Sequence, residues 1–403
     1  MGRKSQFPPS VQPGIPRIPK VPSGWKLVPF KDVVKIVQRP VDLEDEQEYQ
    51  LVTAKRSRGG IVPRERLLGK DILTKTQFYT NSEDFLISRR QIVHGACGIV
   101  PKELDNSVVS NEYLVLHTEP KLLKEYLAYF SHTIYFQQTC FHSSIGVDVE
   151  KMVFKLEAWL KYKMPLPPIH EQKRIVEILA TWDEAIALTE RAIEAKQKCK
   201  RGFLQQIFKS ESYKTFELNE FVDLRREKFN PSPDDDRVCI ELEHLSQGTG
   251  QLVGSTRSSS QNSTKNVFKP GDVLFGKLRP YLRKFANPNF EGVCSTEIWV
   301  LKVKLSLCTS RYLFYLVQTH EFISIANKTS GSKMPRADWG LVAEHPFPLP
   351  SLTEQKKIAN FLDSLSNEIM LLQSLKDKLE SQKRGLMQKL LSGKWRVGIQ
   401  EAA

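Results

Sequence analysis

The sequence lacks the features of several common protein classes. No apolar run approaches the roughly 18 residues that a membrane span requires, and the N-terminus has no apolar core of a signal peptide. We therefore expect a cytoplasmic protein that does not enter a membrane. The cysteines are widely spaced and form no CxxC pair, which argues against a zinc site or a disulfide framework. There are six, namely Cys97, Cys140, Cys199, Cys239, Cys294 and Cys308.

Motifs for catalysis are missing as well. There is no GxxxxGK[ST] phosphate loop, and Gly248, Gly250 and Gly254 miss the dinucleotide-binding spacing. The stretch 230–233 (NPSP) lacks the adjacent second proline and the aromatic residue of the Asn-Pro-Pro-aromatic turn in amino-methyltransferases. The acidic run 234–236 is followed by Glu243 where a metal nuclease would need lysine. We therefore predict no active site, no cofactor and no metal in this chain.

What the sequence does have is length and positive charge. Its 403 residues suggest two to three domains with full hydrophobic cores. It contains 59 Lys and Arg against 46 Asp and Glu, a formal charge of +13. Such an excess favours a polyanionic partner, but ribosomal, membrane-surface and nucleic-acid proteins all share it.

One stretch occurs twice. The first copy spans 165–208 (PLPPIHEQKRIVEILA…KCKRGFLQQIF) and the second spans 348–391 (PLPSLTEQKKIANFLD…SQKRGLMQKLL). The copies align without a gap at a constant offset of 183 residues. This chain is therefore a tandem duplication.

Both copies have the heptad period of a coiled coil. Apolar residues recur on alternating steps of four and three over about five heptads, which predicts two long helices. Ser351 and Glu354 have the spacing of a capping box, and Gly393 is typical of a helix stop. If the two seams bury against each other, connectivity requires antiparallel helices of roughly 57 Å each. The alternative is two separate amphipathic helices, each packed on its own domain.

The seams contain two polar layers and two glycines. Lys196 with Lys200, and Lys376 with Lys383, interrupt the hydrophobic seams and suggest a polar contact with a partner. Gly202 and Gly385 stand at equivalent points in the two helices. Because a glycine inside a helix costs about 1 kcal/mol relative to alanine, its presence in both copies suggests a helix break or a close contact with another chain.

The segments before the two helices share weaker markers in the same order. These include WKLVPFKDVV against YKTFELNEFV, DFLISRR against DVLFGKLR, SNEYLVL against STEIWVL, and YLAYF against YLFYL. Two globular segments of common origin have thus diverged further than the helices. We predict a disordered proline-rich and basic arm at 1–23, globules at 24–164 and 211–347, helices at 165–210 and 348–393, and a tail at 394–403.

Clusters of basic and polar residues in turns of the globules are the candidate DNA contacts. Lys and Arg would contact phosphates, and base edges in the major groove would supply specificity. In the first globule these are Lys55, Arg56, Arg58, Arg64, Ser88, Arg89 and Arg90. In the second they are Lys277, Arg279, Tyr281, Lys284, Ser330, Ser332 and Arg336. Arg89 and Arg90 occupy nearly the place of Lys277 and Arg279, so this turn is expected to face a common partner.

The chain resembles the specificity subunit of type I restriction-modification enzymes. The resemblance lies in the repeated PLPP/PLPS, EQK and KRG elements together with VTAKRSRGGIV, FLISRRQIVHGACGIV, LEHLSQGTG, GKLRPYL and TSGSKMPR. It covers nearly all of the chain after residue 23. The first half departs from it, with His170 before EQK and FHSSIGVD at 141–148 in place of a TSGS-type turn.

The resemblance implies an α/β fold of two target-recognition domains joined by a long antiparallel two-helix coiled coil, with a pseudo-twofold internal repeat. Each domain would read half of a split sequence in double-stranded DNA. The helices would dock two adenine-N6 methyltransferase subunits, which bring S-adenosylmethionine, and two restriction subunits would join with ATP and Mg. The expected docking residues are Glu171, Gln172, Lys173, Gly202, Glu354, Gln355, Lys356 and Gly385.

Two other functions remain open at this stage. A non-enzymatic coiled-coil scaffold could use the same basic charge to bind nucleic acid without sequence specificity, and its arginine-rich turns would then be dispensable. A self-sufficient DNA-modifying enzyme would need cofactor motifs that the sequence does not show.

Overall fold

The computed structural model describes residues 7–18, 20–208, 213–328 and 334–397. The chain divides into two compact units, one formed by residues 1–188 with 376–403 and the other by residues 189–375. None of the helices in the described residues is long and apolar enough to cross a membrane.

The first unit contains thirteen strands among its described residues. They are β1 (Lys26–Pro29), β2 (Val34–Ile36), β3 (Pro40–Val41), β4 (Glu48–Ala54), β5 (Ile61–Leu68), β6 (Gln77–Thr80), β7 (Phe85–Ser88), β8 (Cys97–Ile99), β9 (Ser107–Ser110), β10 (Tyr113–Thr118), β11 (Ser144–Ile145), β12 (Val153–Phe154) and β13 (Lys163–Leu166). Its short helices are α1 (Lys124–Phe130), α2 (Ile134–His142) and α3 (Leu156–Trp159), and the long helix α4 (Ile169–Ile207) begins in it.

These strands form two main sheets. One has four strands in the order β2-β10-β7-β8, and the other has five in the order β3-β6-β9-β4-β5. Both are antiparallel except for the parallel pair β4 and β9. The core beside the four-stranded sheet is aromatic, with the ring of Trp159 stacked on Phe30 at a centroid distance of 4.0 Å.

The second unit repeats this arrangement. Its strands are β14 (Thr215–Glu217), β15 (Val222–Leu224), β16 (Lys228–Phe229), β17 (Val238–Ile240), β18 (Thr256–Arg257), β19 (Lys265–Phe268), β20 (Val273–Gly276), β21 (Phe285–Ala286), β22 (Gly292–Cys294), β23 (Ile298–Val303) and β24 (Pro346–Pro348). Its helices are α5 (Leu218–Phe221), α6 (Ser310–Leu316), α7 (His320–Ala326), α8 (Trp339–Ala343) and the start of α9 (Leu352–Leu391).

The two sheets of the second unit have the same strand order as those of the first. The four-stranded sheet is β15-β23-β20-β21 and the five-stranded sheet is β16-β19-β22-β17-β18, with β17 and β22 as its parallel pair. The predicted mixture of α and β structure is thus confirmed. The sheets are mainly antiparallel, so neither unit is built from alternating βαβ crossovers.

The same ion pair occurs at equivalent positions in the two units, with its aspartate directly before β7 or β20. Arg39 donates two hydrogen bonds to Asp84, at 2.7 and 3.2 Å, and Arg225 donates two to Asp272, at 2.7 and 3.1 Å. Both aspartates are buried, and each also accepts from a backbone N–H three residues earlier. Bidentate pairs of this kind fix geometry as well as adding energy.

The long helices follow the predicted seam. α4 has 39 residues and α9 has 40. Apolar residues at the predicted steps of four and three are buried, among them Ile175, Leu179 and Ile193 on α4 and Ile358, Leu362 and Leu365 on α9. Ser351 Oγ accepts from the Glu354 N–H at 3.3 Å, which confirms the predicted cap, although its return hydrogen bond joins the two side chains. Gly393 ends α9 in the left-handed conformation, with φ of 70°.

Within each unit, a segment of α4 packs against a segment of α9. In the first unit Asp183 pairs with Lys383. In the second, Lys196 pairs with Glu368 at 2.9 Å and the rings of Phe203 and Phe361 lie 4.4 Å apart. As residue numbers rise along α4 in the second unit, they fall along α9, so these segments are antiparallel.

The described part of the N-terminal arm is packed, in contrast to the expected disorder. Val11 is only 4% exposed, and the ring of Phe7 meets the ring of Phe141 edge to face at 5.8 Å. The backbone carbonyl of Gly14 lies 3.1 Å from His142 Nε2. Proline rigidity excludes regular structure here but not contact, and these residues cover α2.

Candidate nucleic-acid interface

In the first unit, two predicted clusters lie side by side. The loop 55–60 hydrogen bonds to the turn 91–95 through Ser57 N–H to His94 O at 2.7 Å and Arg58 N–H to Gly95 O at 3.2 Å. Arg56 Nε adds a bond of 2.8 Å to Gln91 Oε1. Residues distant in sequence thus form one edge, which we call the first basic edge (residues 55–60 and 89–95).

Several arginines of the first unit are already paired with carboxylates. Arg56 lies 2.5 Å from Glu150, Arg90 lies 2.8 Å from Glu112, and Arg64 lies 3.0 Å from its neighbour Glu65. These pairs are exposed, and an exposed pair contributes about 0 to 1 kcal/mol. A phosphate could therefore compete for these arginines. Arg64 is on β5, outside the two segments of the first basic edge.

Two other predicted contacts differ from expectation. Ser88 is 6% exposed, because it ends β7 inside the sheet, so its prediction as a DNA contact is wrong for this conformation. Arg89 is half-buried, and its backbone bonds to Glu112 O and Phe154 N–H. Lys55 is exposed, as predicted. The basic sequence around Ser88 does not reveal this burial, because every residue of β7 is buried, whichever face of the sheet its side chain points to.

In the second unit, two predicted clusters are also brought together. Arg279 N–H donates to Pro335 O and Ala337 N–H donates to Lys277 O, both at 2.8 Å. Leu278 and Arg336 form a β-bridge between the two segments. We call this the second basic edge (residues 277–284 and 334–337). Ser330 and Ser332, also predicted here, lie outside the described residues.

The side chains of the second basic edge differ in how free they are. Arg279 is exposed and Tyr281 is 50% exposed, and neither side chain hydrogen bonds to another of the described residues. Arg336 pairs with Glu297 at 3.0 Å, and Lys284 Nζ donates to Leu242 O at 2.6 Å. Arg279 and Tyr281 are therefore the most available contacts of this edge.

One turn of each basic edge, 89–95 in the first and 277–284 in the second, is equivalent in backbone position. Arg89 N–H donates to Glu112 O and Lys277 N–H donates to Glu297 O, each at 2.9 Å. The carboxylate of Glu112 is paired by Arg90, whereas that of Glu297 is paired by Arg336 from another segment. The turns that the sequence suggested as equivalent do occupy the same place in the two units.

The predicted docking residues separate into buried and exposed groups. Gln172 and Gln355 are both 0% exposed, and each bonds to a loop of its own unit. Glu171 is 3% exposed and accepts from Trp25 Nε1 at 2.8 Å and Arg396 Nε at 2.7 Å. The prediction that these three dock a partner is wrong for this conformation, because their polar atoms are used internally.

The remaining docking residues lie on the surface. Lys173, Glu354 and Lys356 are exposed. The helices run without a break through Gly202 and Gly385, so the expectation of a helix break is wrong. A Cβ built at either glycine meets nothing within 4 Å. Both glycines thus mark open helix surface, and a close contact with another chain stays a prediction.

The lysine layers of the seams have partners within the chain. The ammonium of Lys383 pairs with Asp183 and lies 5.3 Å from the centroid of the Tyr129 ring. Lys200 lies 5.4 Å from the centroid of Tyr315. Burial, helped by the nearby Arg311 cation, lowers the pKa of Lys200 to about 8. Contact with a separate chain is therefore not needed to explain these layers.

Sequence reasoning missed the acids of these layers. Tyr129 donates to Asp183 at 2.7 Å and Tyr315 donates to Asp363 at 2.6 Å. Tyr129 and Tyr315 occupy equivalent positions on α1 and α6. The aspartates do not, since Asp183 aligns with Ser366 at the offset of 183 residues. Alignment of the two copies therefore does not reveal that both tyrosines bond to an aspartate. The sequence shows only that each long helix contains an aspartate that a tyrosine can bond to.

Among the described residues, no group of three or more His, Cys, Asp and Glu side chains could hold a metal ion. Burial raises the pKa of the Cys97, Cys239 and Cys308 thiols to about 12. Such thiols are poor nucleophiles. In the acidic run, Asp235 pairs with Arg237 and Asp236 accepts from Ser259, which is the geometry of a surface turn.

The duplicated sheets and basic edges define a two-domain chain of a known class. The family described as "Type I restriction modification DNA specificity domain" matches residues 22–196 and again residues 210–381. The chain belongs to this family.

Curated relatives match over most of the chain. The Type I restriction enzyme MjaVIII specificity subunit of Methanocaldococcus jannaschii is 25% identical, covering 94% of each chain. The putative type I restriction enzyme MjaX specificity subunit of the same organism is 24% identical, covering 94% of this chain and 96% of its own.

Solved structures share the fold. A chain from the structural study of complex assembly and conformational transition of the type I R-M system has a TM-score of 0.59 and 18% identity, covering 93% of this chain and all of its own. The S subunit of a type I restriction-modification system from M. genitalium has a TM-score of 0.57 and 14% identity, covering 93% and 99%.

Proposed function

We propose that this chain is the sequence-reading, non-catalytic subunit of a type I restriction-modification complex, and that it binds a bipartite target in double-stranded DNA. The observation that carries this proposal is the repetition, in each unit, of one basic turn on the same sheet framework, after β7 in the first unit and after β20 in the second. Two similar readers suit a target with two specified halves. Membership of the specificity family supports the same conclusion.

Each basic edge offers both kinds of contact that DNA recognition needs. Exposed cations such as Lys55 and Arg279 suit phosphates, whose contacts dominate affinity. Polar and aromatic groups such as Gln91 and Tyr281 stand beside them and suit base edges or sugars. Both edges are held by backbone hydrogen bonds between two loops, so their side chains are presented on a fixed frame.

We further propose that α4 and α9 pair as an antiparallel coiled coil that separates the two readers, related by a pseudo-twofold repeat. The helix pairs described within each unit support this arrangement. A helix of 39 residues is about 58 Å long, which exceeds one turn of DNA at about 34 to 36 Å. The central base pairs would then go unread.

The open helix surfaces are the proposed docking sites for two methyltransferase subunits, through which two restriction subunits would join. Lys173 and Gly202 on α4 resemble Lys356 and Gly385 on α9 in exposure and spacing. Two identical partners need two similar surfaces. S-adenosylmethionine, ATP and Mg would be supplied to the complex by these partners.

Mapping methylated adenines across the host genome tests the proposal directly. We expect one split sequence to carry the methyl groups, and to lose them when this chain is deleted. The purified chain with its methyltransferase partner should bind that duplex in a salt-sensitive manner. Binding that ignores sequence would favour the non-specific scaffold, and methyl transfer by this chain alone would favour a self-sufficient enzyme.

Charge reversal tests the second basic edge. We expect the double variant Lys277→Glu and Arg279→Glu to lose target binding in the complex. Lys302→Glu is the matched control, because Lys302 is exposed at the far end of β23 from the turn at 277. Equal binding by the double variant and the control would remove this edge from the interface.

Helix length tests the spacer. Inserting one heptad into α4 and one into α9 should change the accepted number of unread base pairs, while the two specified halves of the target stay the same. An unchanged spacing in the methylation map would refute the role of the helices as a spacer.

A further inference from the structure

Each unit contains a pair of facing residues in the left-handed backbone conformation. In the first unit Arg58 (φ 62°) faces Gly95 (φ 81°), and Arg58 N–H donates to Gly95 O at 3.2 Å. In the second unit Gly248 (φ 72°) faces Arg283 (φ 52°), and Gly248 N–H donates to Arg283 O at 2.9 Å. The geometry is the same, but glycine and arginine have exchanged places.

The exchange is confirmed by the surrounding elements. Gly95 follows the 3₁₀ turn Ile92–His94 as its cap, and Arg283 follows the 3₁₀ turn Pro280–Leu282 as its cap. Arg58 and Gly248 therefore come from the opposing loop in each case. The arginine therefore lies on the opposing loop in the first unit and at the cap of the 3₁₀ turn in the second.

Both arginines are held in an unfavourable backbone conformation. The left-handed region is unfavourable for a residue with a Cβ, and such residues persist where the surroundings or the function require them. In the first unit the facing glycine also makes room, since a Cβ on Gly95 would lie 3.1 Å from Arg58 Cγ. The aliphatic stem of Arg58 therefore packs closely against the turn at Gly95.

The two guanidinium groups reach the same region of their units. Arg283 donates to the backbone carbonyl of Gln318, just after α6. Arg58 lies near His132, just after α1, and burial together with the Arg58 charge lowers the pKa of His132 to about 4. His132 and Gln318 are related by the offset that also relates Tyr126 to Tyr312. The two positions are therefore equivalent.

Neither guanidinium has an acidic partner within the described residues. Arg56, Arg90 and Arg336 on the same edges each pair with a glutamate. Arg58 instead has its Nε enclosed without an acceptor and another cation, Arg384, nearby. A half-buried cation without a counter-charge is costly, and an anion from outside would relieve that cost.

We infer that Arg58 and Arg283 each bind one backbone phosphate of duplex DNA, as equivalent contacts of the two units. This inference rests on the proposed function and specifies residues for it. The packed stem of Arg58 and the bond from Arg283 to Gln318 O hold each guanidinium at a fixed place, and guanidinium suits phosphate geometry. Contacts to phosphate fix position and affinity but carry no sequence information directly.

Salt dependence of binding tests the inference. The full chain, assembled with its methyltransferase partner, is titrated over a salt series with the duplex identified by methylation mapping and with a scrambled duplex. Arg58→Met and Arg283→Met keep the stem and remove the charge. We expect each to weaken binding about five- to tenfold for both duplexes, and to reduce the slope of log K against log salt by about 0.9.

Three outcomes would overturn it. An unchanged slope, a loss confined to the mapped duplex, or the same slope change in the control Arg237→Met would each assign another role. Arg237 is an exposed arginine of the second unit that already pairs with Asp235. If the wild-type complex binds no duplex in a salt-sensitive manner, the proposed function itself fails, which is a distinct result.

An exchange variant tests the equivalence of the two positions. Arg58→Gly combined with Gly95→Arg reproduces the arrangement of the second unit inside the first. We expect it to recover the affinity and salt slope that Arg58→Gly alone loses, with thermal melting showing that both variants fold. A folded double variant without recovery would show that the two arginines are not equivalent.

Discussion

Gln172 and Gln355 make the same three hydrogen bonds in separate units. Gln172 Oε1 accepts from Leu123 N–H, while its Nε2 donates to Lys121 O and Pro167 O, all at 2.9 Å. The equivalent partners of Gln355 are Thr309 N–H, Leu307 O and Pro350 O, at 2.8 to 2.9 Å. Each glutamine thus joins the first turn of a long helix to the loop before a short one.

Replacing Gln355 by leucine should destabilise the second unit. The change removes the partner of Thr309 N–H, Leu307 O and the buried Pro350 O, and we expect unfolding to require about 2 to 4 kcal/mol less free energy. Urea unfolding of the full chain measures the loss. Gln197→Leu is the control, because Gln197 is exposed on α4. A loss below about 0.5 kcal/mol, comparable to an ordinary surface change, would show that the three hydrogen bonds of Gln355 do not stabilise the unit.

Replacing Lys200 by methionine should stabilise the fold at neutral pH. The folded pKa of about 8 lies below the ordinary value of 10.5, so the charged lysine costs stability below pH 8. Between those values the unfolded chain binds more protons, and wild-type stability therefore rises with pH. We expect Lys200→Met to gain about 1 to 3 kcal/mol at pH 7 and less near pH 10.

Thermal melts between pH 6.5 and 10 measure this difference. Lys196→Met is the control, since Lys196 pairs with Glu368 and its side chain is 39% exposed. The control should show no gain at pH 7. A gain for Lys200→Met that does not change with pH would mean that packing, and not the buried charge, is responsible.

Alanine at Gly202 or Gly385 should stabilise the chain while larger side chains should impair assembly. A Cβ meets nothing at either site, so each alanine is expected to add about 0.5 to 1 kcal/mol through helix propensity. If partners approach closely there, Gly202→Leu and Gly385→Leu should weaken methyltransferase binding at least tenfold. Ala195→Leu, at an exposed site on α4, is the control for added bulk.

Stability and docking are read separately in this experiment. Melting of the chain alone reports the helix effect, and titration calorimetry with the methyltransferase subunit reports docking. Unimpaired docking of both leucine variants would remove the glycines from the proposed partner surface.

Removing the charge of Arg396 should loosen the end of the chain from the first unit. Arg396 donates to the buried Glu171 at 2.7 and 3.0 Å and to Ser23 O at 2.8 Å. Arg396→Met leaves Glu171 with Trp25 as its remaining recorded donor. Because the Arg396 side chain is 43% exposed, we expect a loss of about 1 to 3 kcal/mol, below that of a fully buried pair.

Urea unfolding, with limited proteolysis of the C-terminal residues, checks this expectation. Lys394→Met is the control, because Lys394 is exposed and lies on the same short segment. Cleavage at wild-type rate in Arg396→Met would show that the ion pair does not hold the tail.

The helices and the duplication could be predicted from the sequence because both depend on regular spacing. The heptad seam identifies α4 and α9, and the PLP, EQK and KRG elements align the two copies. Sheet order could not be predicted, because the strands are only two to eight residues long and pair across long separations.

The site could be predicted in part. Basic turns at 55–58, 89–90, 277–284 and 336 were identified by residue type, and the structure brings them together in pairs through backbone bonds. Residue type does not reveal burial, so it predicts surface positions for Ser88 and for the glutamines of the EQK elements, which are buried. A polar side chain at a helix start has two uses, capping a neighbouring loop or facing a partner, and only tertiary contacts separate them.

The two-stranded sheets show how one globule could be exchanged for another. β1 pairs with β13, with Lys26 opposite Leu166, and β14 pairs with β24, with Thr215 opposite Pro348. The points where the chain enters and leaves each globule are therefore adjacent. An exchange of all residues between such a strand pair must preserve this short antiparallel pairing, the glutamine hydrogen bonds beside it and the contacts with α4 and α9, such as Tyr129 to Asp183 and Tyr315 to Asp363. Each globule is thus a segment whose two ends are joined by one strand pair, so it can be exchanged as a single piece.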